Sequence, residues 1–466
     1  MQTIPEDLQQ RLRHHGQEHV LTWWDRLSQE ERRGLVEQLY LLNLEQLAHL
    51  FNRRDQAYPP PPPVHAIQPI PVIRLGQEEE AARRRGEAAL RRGEVAVVLV
   101  AGGQGSRLGF EHPKGLYPVG PVSGKSLFQV HAEKVLALRR RYGQPVPFCI
   151  MTSDATHEET ISYFTEHGWF GLPAEEVVFF RQGTMPALDL ATGRLLMEQP
   201  GRLFTSPNGH GGTLTALAES GLLDRLRDAG IKQVFYFQVD NPLVKVADPV
   251  FLGHHLVADA DVSTKIVPKE TPTDRVGNLV QIDGRCWIIE YSDLPLELAK
   301  QTDEQGQLKL WAGNTAIHLF SIDFLSRVTR GETMGLPFHV ARKKVPYLDE
   351  AGRLVQPEKE NALKFEMFIF DVLPLAERWT VVETTYQHEF APLKNATGRD
   401  SPETVNRALI NLAAEWLERH GVQVPRRPDG EPAFPLEISP LLALDAEDLA
   451  VRLDRGIRIE GPTYLQ

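Results

Sequence analysis

Cysteine is all but missing from this chain of 466 residues, which has only Cys149 and Cys286. Both lie inside apolar stretches that read as strands, so a disulfide framework is excluded and the reducing cytosol is the compartment expected. Two cysteines alone cannot make a structural zinc site. No apolar run reaches the roughly 18 residues that a membrane-spanning helix needs, and the polar, charged N-terminus lacks the pattern of a signal peptide. A basic excess is missing as well. Lys and Arg number 51 against 62 Asp and Glu, a formal net charge of −11. That sets nucleic acid aside as a partner, because phosphate backbones select basic surfaces. An acidic chain that binds phosphates must concentrate its cations locally. The expectation is a soluble, cytoplasmic protein with no membrane partner, whose oligomeric state the sequence leaves open.

What is present is glycine at the end of a strand. Val95 to Val100 is a continuous β-branched, apolar run, the pattern of a strand covered on both faces in a parallel sheet. It leads straight into AGGQGSRLGFEHPKG. Gly102, Gly103 and Gly105 let backbone N–H groups approach an anion closely, and Arg107 and Lys114 complete a cradle. A bare glycine pair after a strand reads equally well as a turn with solvated charges, but this loop is longer and more specific than that. The dinucleotide fingerprint does not fit it, since Gly109 falls one residue late. Nor does a Walker A loop: Gly120 to Ser126 is one residue short and follows no apolar strand, so it reads as a loop ending in a helix N-cap at Ser126.

The length allows about three domains of roughly 150 residues. Residues 1–92 read as a helical N-terminal segment, with leucines spaced for amphipathic helices over 6–56 and a stiff polyproline linker at 59–63. A charged helix follows over 78–92. Strands and helices then alternate, which predicts a doubly wound α/β domain over 93–390. Its strands fall at 147–151, 177–180 and 233–239, ending in Thr152-Ser153-Asp154, Arg181-Gln182-Gly183 and Asp240-Asn241-Pro242. Ligands bind beyond the carboxyl ends of such strands, so these residues are expected to converge on one crevice. Residues 206–213 are too glycine-dense for a regular element, and Asp283-Gly284 marks a hairpin turn. A helix over 404–420 and a proline-rich tail define a C-terminal lobe at 391–466.

Asp240 is the best metal candidate, as a carboxylate at a strand end facing a phosphate loop commonly holds Mg²⁺ against substrate phosphates; a turn-capping Asp is the alternative reading. Neither cysteine has a base placed near it in sequence, and His254, His255 and His318 read as packed or surface histidines.

The loop AGGQGSRLG followed by PKG resembles the nucleotide loop of the sugar-nucleotide pyrophosphorylases. Further stretches in order extend the likeness: Ser126-Leu-Phe-Gln129, VVFFRQG, VDNPLVKVADP, WIIEYSDL, AGNTAIHLF, ARKKVPYLDE, FEMFIFD, EFAPLKNA and EISPLL. The chain is similar to the UDP-N-acetylhexosamine pyrophosphorylases of eukaryotic type, within the wider UDP-sugar and UDP-glucose pyrophosphorylase family. The resemblance implies a Rossmann-like, GT-A-like mixed sheet and a uridylyltransferase that turns UTP and N-acetylglucosamine-1-phosphate into the UDP-sugar and pyrophosphate. It implies that Val100, Ala101, Gly102 and Gly103 line the nucleotide and that Gln182 and Gly209 read uracil. Arg107, Lys114, Lys364 and Lys394 would meet phosphates, with Asp240 holding Mg²⁺ or Mn²⁺. Glu290, Tyr291 and Asn314 would surround the sugar. In Asn208-Gly209-His210-Gly211 the chain departs from the N-acetylhexosamine pattern, which has Asp and Asn where Asn208 and His210 stand, toward the Gly-His-Gly of UDP-glucose and broad UDP-sugar enzymes. His210 would face the sugar. A non-catalytic nucleotide-sugar sensor and a P-loop ATPase are the competing classes. The retained Arg107, Lys114 and Asp240 argue against the first, and the short Gly120–Ser126 spacing against the second.

Overall fold

The computed structural model describes residues 3–56, 62–330, 336–454 and 456–466. Residues 59–61 of the polyproline linker lie outside them. The chain divides into two compact units, one of Met1–Pro62, Gln182–Gly212 and Gly335–Asp371, the other of Pro63–Arg181, Thr213–Met334 and Val372–Gln466.

The second unit is organised by a ten-stranded mixed sheet. Its strands are β1 (Val95–Val100), β2 (Phe148–Thr152), β3 (Val177–Arg181), β4 (Gln233–Gln238), β5 (Val262–Pro268), β6 (Asn278–Ile282), β7 (Arg285–Ile289), β8 (Ala312–Ser321) and β9 (Trp379–Glu383), with the short strand Gln68–Pro69 at one edge. The order runs Gln68–Pro69, β6, β8, β4, β1, β2, β3, and β5 pairs both β8 and β9. Strands β4, β1, β2 and β3 are mutually parallel, whereas β8 runs antiparallel to β4. The first five residues of β1 are buried, as its unbroken apolar run requires. β2 begins one residue later than expected because Pro147 has no N–H for the ladder, although its carbonyl accepts from Val97. The hairpin of β6 and β7 turns at Asp283 and Gly284, both with positive φ, as a type I′ turn demands.

Helices α1 (Glu79–Arg91), α2 (Leu127–Tyr142), α3 (His157–Glu166), α4 (Pro249–Val257) and α5 (Pro402–Arg419) belong to this unit. Ser126 caps α2 by accepting from the Gln129 N–H at 3.1 Å, so the Walker-like segment ends as the sequence indicates. The Val122 and Ser123 amides within that segment bind the Glu437 carboxylate at 2.8 and 2.7 Å. Cys149 and Cys286 are buried and unpaired. His255 and His318 are packed in the core, His255 between Ser263 and Gln233 and His318 against Thr264.

In the first unit the helices Glu6–His14, Gln29–Leu41 and Leu44–Asn52 bury Leu8, Leu12, Leu35, Leu39, Leu47 and Leu50. They share one core with Leu188, Leu195, Leu203, Leu363 and Phe365, so the amphipathic leucines find their partners far along the chain. A three-stranded sheet orders Phe338–Lys343, Ala362–Met367 and Leu188–Asp189. The glycine-rich stretch 206–213 is more regular than expected. Thr205–Pro207 pairs with Thr184–Pro186, and a helix starts at Gly212, which leaves 208–211 as the loop.

Candidate active site

In the second unit the chain leaves β1 for β2 and β3 on one side, then returns to place β4 on the other side of β1. The segments after β1 and β4 therefore diverge from adjacent strand ends, the switch point at which open α/β sheets bind ligands. After β1 the glycine loop folds back on itself. Gly105 donates to the His112 carbonyl at 2.9 Å, and Lys114 N–H donates to the Gly103 carbonyl at 3.0 Å. Ser153, at the end of β2, donates its hydroxyl to the Gly102 carbonyl at 2.8 Å.

Glycine is required at 115. A Cβ there would stand 2.1 Å from the buried Phe128 ring of α2, so a side chain would lift the loop away. Held in this way, Lys114 places Nζ 3.9 Å from Asp240 Oδ2 and 3.4 Å from the Leu393 carbonyl. The Leu393 N–H in turn donates to the Asp240 carbonyl at 2.8 Å, which brings the neighbouring Lys394 to the same strand end. The Lys394 amide donates to the Asp400 carbonyl at 2.7 Å. Burial raises the Asp400 carboxyl above the usual range; Lys394 and Arg399 oppose the shift, and Asp240 adds to it. Arg107 lies on the exposed turn Ser106–Leu108 of the same loop.

Of the residues assigned to the sugar, Glu290 follows β7 and Asn314 lies in β8, and both approach Gly277. A Cβ there would be 3.3 Å from Glu290 Oε1 and 3.6 Å from the Asn314 Cβ. Asn314 Oδ1 accepts from the Ala316 N–H at 3.0 Å. Tyr291 is exposed and lines a hollow with Thr273, Asn278 and Leu294.

The first unit brings its own set together. Gln182 Nε2 donates to the Gly209 carbonyl at 3.4 Å. Gly209 has φ of 85°, and a Cβ there would meet the Met367 carbonyl oxygen at 2.4 Å. The Met367 N–H donates to the Asn208 carbonyl and the Met367 carbonyl accepts from Gly211, so the loop is tied to the end of strand Ala362–Met367. His210 stacks on Phe368 with centroids 5.4 Å apart and accepts from the Ile369 N–H at Nδ1, which puts the proton of the neutral ring on Nε2. On that strand, Lys364 holds Nζ 5.0 Å over the Phe204 ring; burial lowers its pKa, and Glu366 opposes the shift.

Among the described residues no group of three or more His, Cys, Asp or Glu could hold a metal ion. One buried carboxylate, Asp240, fits Mg²⁺, which takes oxygen ligands, keeps several waters and is shared with substrate phosphates, and it does not fit zinc. A cavity of about 340 Å³ opens behind the Asp240 turn, between Lys134, Pro242, Val244 and Trp416. Neither Arg107 nor Lys114 lines it. Asp400 went unread in sequence, since an Asp in a Gly-Arg-Asp loop has no spacing that marks it. Ser153 is among the strand-end residues expected at the crevice, and the fold adds its bond to the Gly102 carbonyl.

A glycine loop, a lysine and a single acid at the switch point of a mixed sheet are suited to holding a nucleoside triphosphate, and they define a nucleotidyltransferase of Rossmann-like fold. The sequence pattern of the UTP–glucose-1-phosphate uridylyltransferase family matches residues 59–426, and the chain belongs to that family. It is 38% identical to UDP-N-acetylhexosamine pyrophosphorylase-like protein 1 of Homo sapiens, over 99% of this chain and 97% of that protein. It is 40% identical to the UDP-N-acetylglucosamine pyrophosphorylase of Saccharomyces cerevisiae, over 77% of this chain and 78% of the other. Its structure resembles the uridine diphosphate N-acetylglucosamine pyrophosphorylase of Trypanosoma brucei with a TM-score of 0.82 at 27% identity, covering 100% of this chain and 99% of that one. No helix among the described residues is long and apolar enough to cross a membrane.

Proposed function

We propose that this protein is a cytoplasmic uridylyltransferase making UDP-N-acetylglucosamine and pyrophosphate from UTP and N-acetylglucosamine-1-phosphate. The observation that supports it most directly is Lys114, of the Pro-Lys-Gly triplet, set 3.9 Å from Asp240 at the switch point. The names of the similar proteins support the choice of sugar.

The sugar-1-phosphate oxygen is already ionised, so the reaction needs no general base. That oxygen attacks the α-phosphorus of UTP in line, the P–O bond to the β-phosphate breaks, and pyrophosphate leaves. The protein's work is positioning and charge neutralisation. Val100, Ala101, Gly102 and Gly103 line the nucleotide, while Gln182 and Gly209 present an amide and backbone groups to the flat, donor–acceptor edge of uracil. Lys114 offsets charge gathering on the α-phosphate, and Arg107 that on departing pyrophosphate, with Lys364 and Lys394 on the remaining phosphate oxygens. Asp240 would hold Mg²⁺, which when bound supplies further neutralisation of phosphate charge. Glu290, Tyr291, Asn314 and His210 contact the sugar.

The test is a panel of UTP and Mg²⁺ with N-acetylglucosamine-1-, N-acetylgalactosamine-1-, glucose-1- and galactose-1-phosphate, following pyrophosphate. N-acetylglucosamine-1-phosphate should give the highest kcat/KM. Preference for glucose-1-phosphate would favour the reading that Gly209-His210-Gly211 suggests, a UDP-glucose or broad UDP-sugar enzyme. Pyrophosphate release without any sugar phosphate would overturn uridylyl transfer.

A further inference from the structure

Asp240 lies in a turn whose carbonyls are held from behind by one helix face. His131 and Lys134 stand three residues apart on α2, so both point the same way. His131 Nε2 donates to the carbonyl of Val239, immediately before Asp240, at 3.0 Å. Lys134 Nζ donates to the carbonyls of Pro242 and Val244, after it, at 2.5 and 2.8 Å. The carbonyl of Asp240 itself is taken by the Leu393 N–H. On the far side, Asn241 donates to the Glu389 carbonyl at 2.8 Å and accepts from the Ala391 N–H at 3.1 Å. The Glu389 carboxylate accepts from the Lys245 N–H at 3.1 Å.

We propose that His131 and Lys134 form a bracket that positions Asp240 for metal and phosphate, with Lys134 the principal arm; this rests on the reading of Asp240 as the metal ligand. An ammonium partly buried in this way, with only carbonyls as partners, is costly. Burial draws the Lys134 amine down to about 7, against the pull of Glu389, and burial likewise draws His131 down to about 3, with Lys134 adding to the fall. An apolar residue would pack the helix equally well, so what the lysine adds is two directed donors to a turn whose own backbone bonds, Asn241 N–H to the Gln238 carbonyl and Val244 N–H to the Asn241 carbonyl, are long at 3.5 Å. The bracket touches neither substrate nor metal, and its effect is on the direction in which the Asp240 carboxylate points.

The test uses the full chain with Lys134→Met, which keeps length and loses the donors, and Lys134→Arg, which keeps them. Lys134→Met should remain folded, with kcat lowered about 10- to 100-fold and the KM for UTP changed by less than about 3-fold, the split expected when positioning rather than binding is lost. Mn²⁺ binding in the presence of UTP, followed by electron paramagnetic resonance, should weaken by about 5-fold or more, and Lys134→Arg should restore both properties. His131→Asn, which shortens the other arm, provides a second variant with the same split in smaller measure. The proposal is overturned if folded Lys134→Met or His131→Asn keeps wild-type kcat and Mn²⁺ affinity, or if Lys134→Arg is as impaired as Lys134→Met. Asp240→Asn is measured beside them. Intact turnover and Mn²⁺ binding in that variant would remove the underlying reading of Asp240, whereas their loss there alone would remove only the bracket.

Discussion

Replacing Gly115 by Ala perturbs the site by a single methyl group whose surroundings are known. The new Cβ would stand 2.1, 2.2 and 2.4 Å from three carbons of the Phe128 ring, and it must retreat by about 1.3 Å to reach ordinary contact at 3.4 Å. The ring cannot yield that distance. Phe128 is fully buried and packs edge-on against Phe164 with centroids 5.3 Å apart. The loop must therefore lift, taking Lys114 away from Asp240. Overpacking of this kind costs about 1–3 kcal/mol, and a displacement of about 1 Å in a positioning group costs on the order of 100-fold in turnover. Pyrophosphate release at saturating UTP and sugar phosphate should fall by that order, with a lowered midpoint in calorimetry. Adding Phe128→Leu opens the space and should recover much of the turnover. Gly103→Ala is the control, because a Cβ there meets nothing within 4 Å. It should leave stability unchanged while lowering activity, since that space is where the proposed function puts the nucleotide. Gly115→Ala with near wild-type turnover and midpoint, or a double variant no better than the single one, would refute the reasoning.

Three further outcomes follow from the same geometry. Asp240→Asn keeps the size of a buried side chain and removes the carboxylate proposed to hold Mg²⁺; turnover should drop by about 100-fold or more with unfolding unchanged, as steady-state kinetics and calorimetry will show. Lys265 is buried between Glu389 at 2.6 Å and Asp248 at 2.7 Å, so Lys265→Met leaves the buried Glu389 and the partly buried Asp248 without their cation and should cost about 3 kcal/mol in urea unfolding. Glu389→Gln should cost less, because Asp248 still balances the lysine. His255, held neutral by burial with a pKa of about 4, binds a proton in the unfolded chain near 6.5 but not in the folded one. Stability should therefore fall as pH drops from about 6.5 to about 4, by up to about 1.4 kcal/mol per pH unit for this group. Urea unfolding of His255→Gln over that range should show a shallower slope; an unchanged slope would exclude His255 as its source.

The parallel strands were legible because each is a short apolar run stopped by glycine or a polar turn, and the central ones, Val95–Val100 and Gln233–Gln238, are buried on both faces. Local chemistry likewise marked the Ser126 cap and the Asp283-Gly284 turn, which depend only on neighbours in the chain. The first unit was not legible in the same way. The spacing of Leu8, Leu12, Leu35 and Leu39 shows that a face must be covered, yet it cannot name Leu195, Leu203 or Phe365 as the cover, since hydrophobic contact is not directional and has no sequence code.

The candidate site divides along a similar line. Residues that present a cation, an acid or a bare backbone to a ligand stood out, because Arg107, Lys114 and Asp240 interrupt strand ends and glycines where nothing else requires charge. Residues that aim those groups did not. His131 and Lys134 read along the chain as polar breaks in an amphipathic helix, and a solvated face would have been the ordinary reading. α2 is instead buried over most of its circumference, from Leu127 and Phe128 to Leu138 and Tyr142. A helix so enclosed leaves the polar side chains on its inner face, His131 above all, little or no water, and such groups must find a partner within the protein or lose their hydrogen bonds. Here the partners are carbonyls on either side of Asp240, groups that every residue possesses and that no motif can mark. Direction at the site is thus set by backbone acceptors, which explains why the chemistry could be read from side-chain identity while the means of aiming it could not.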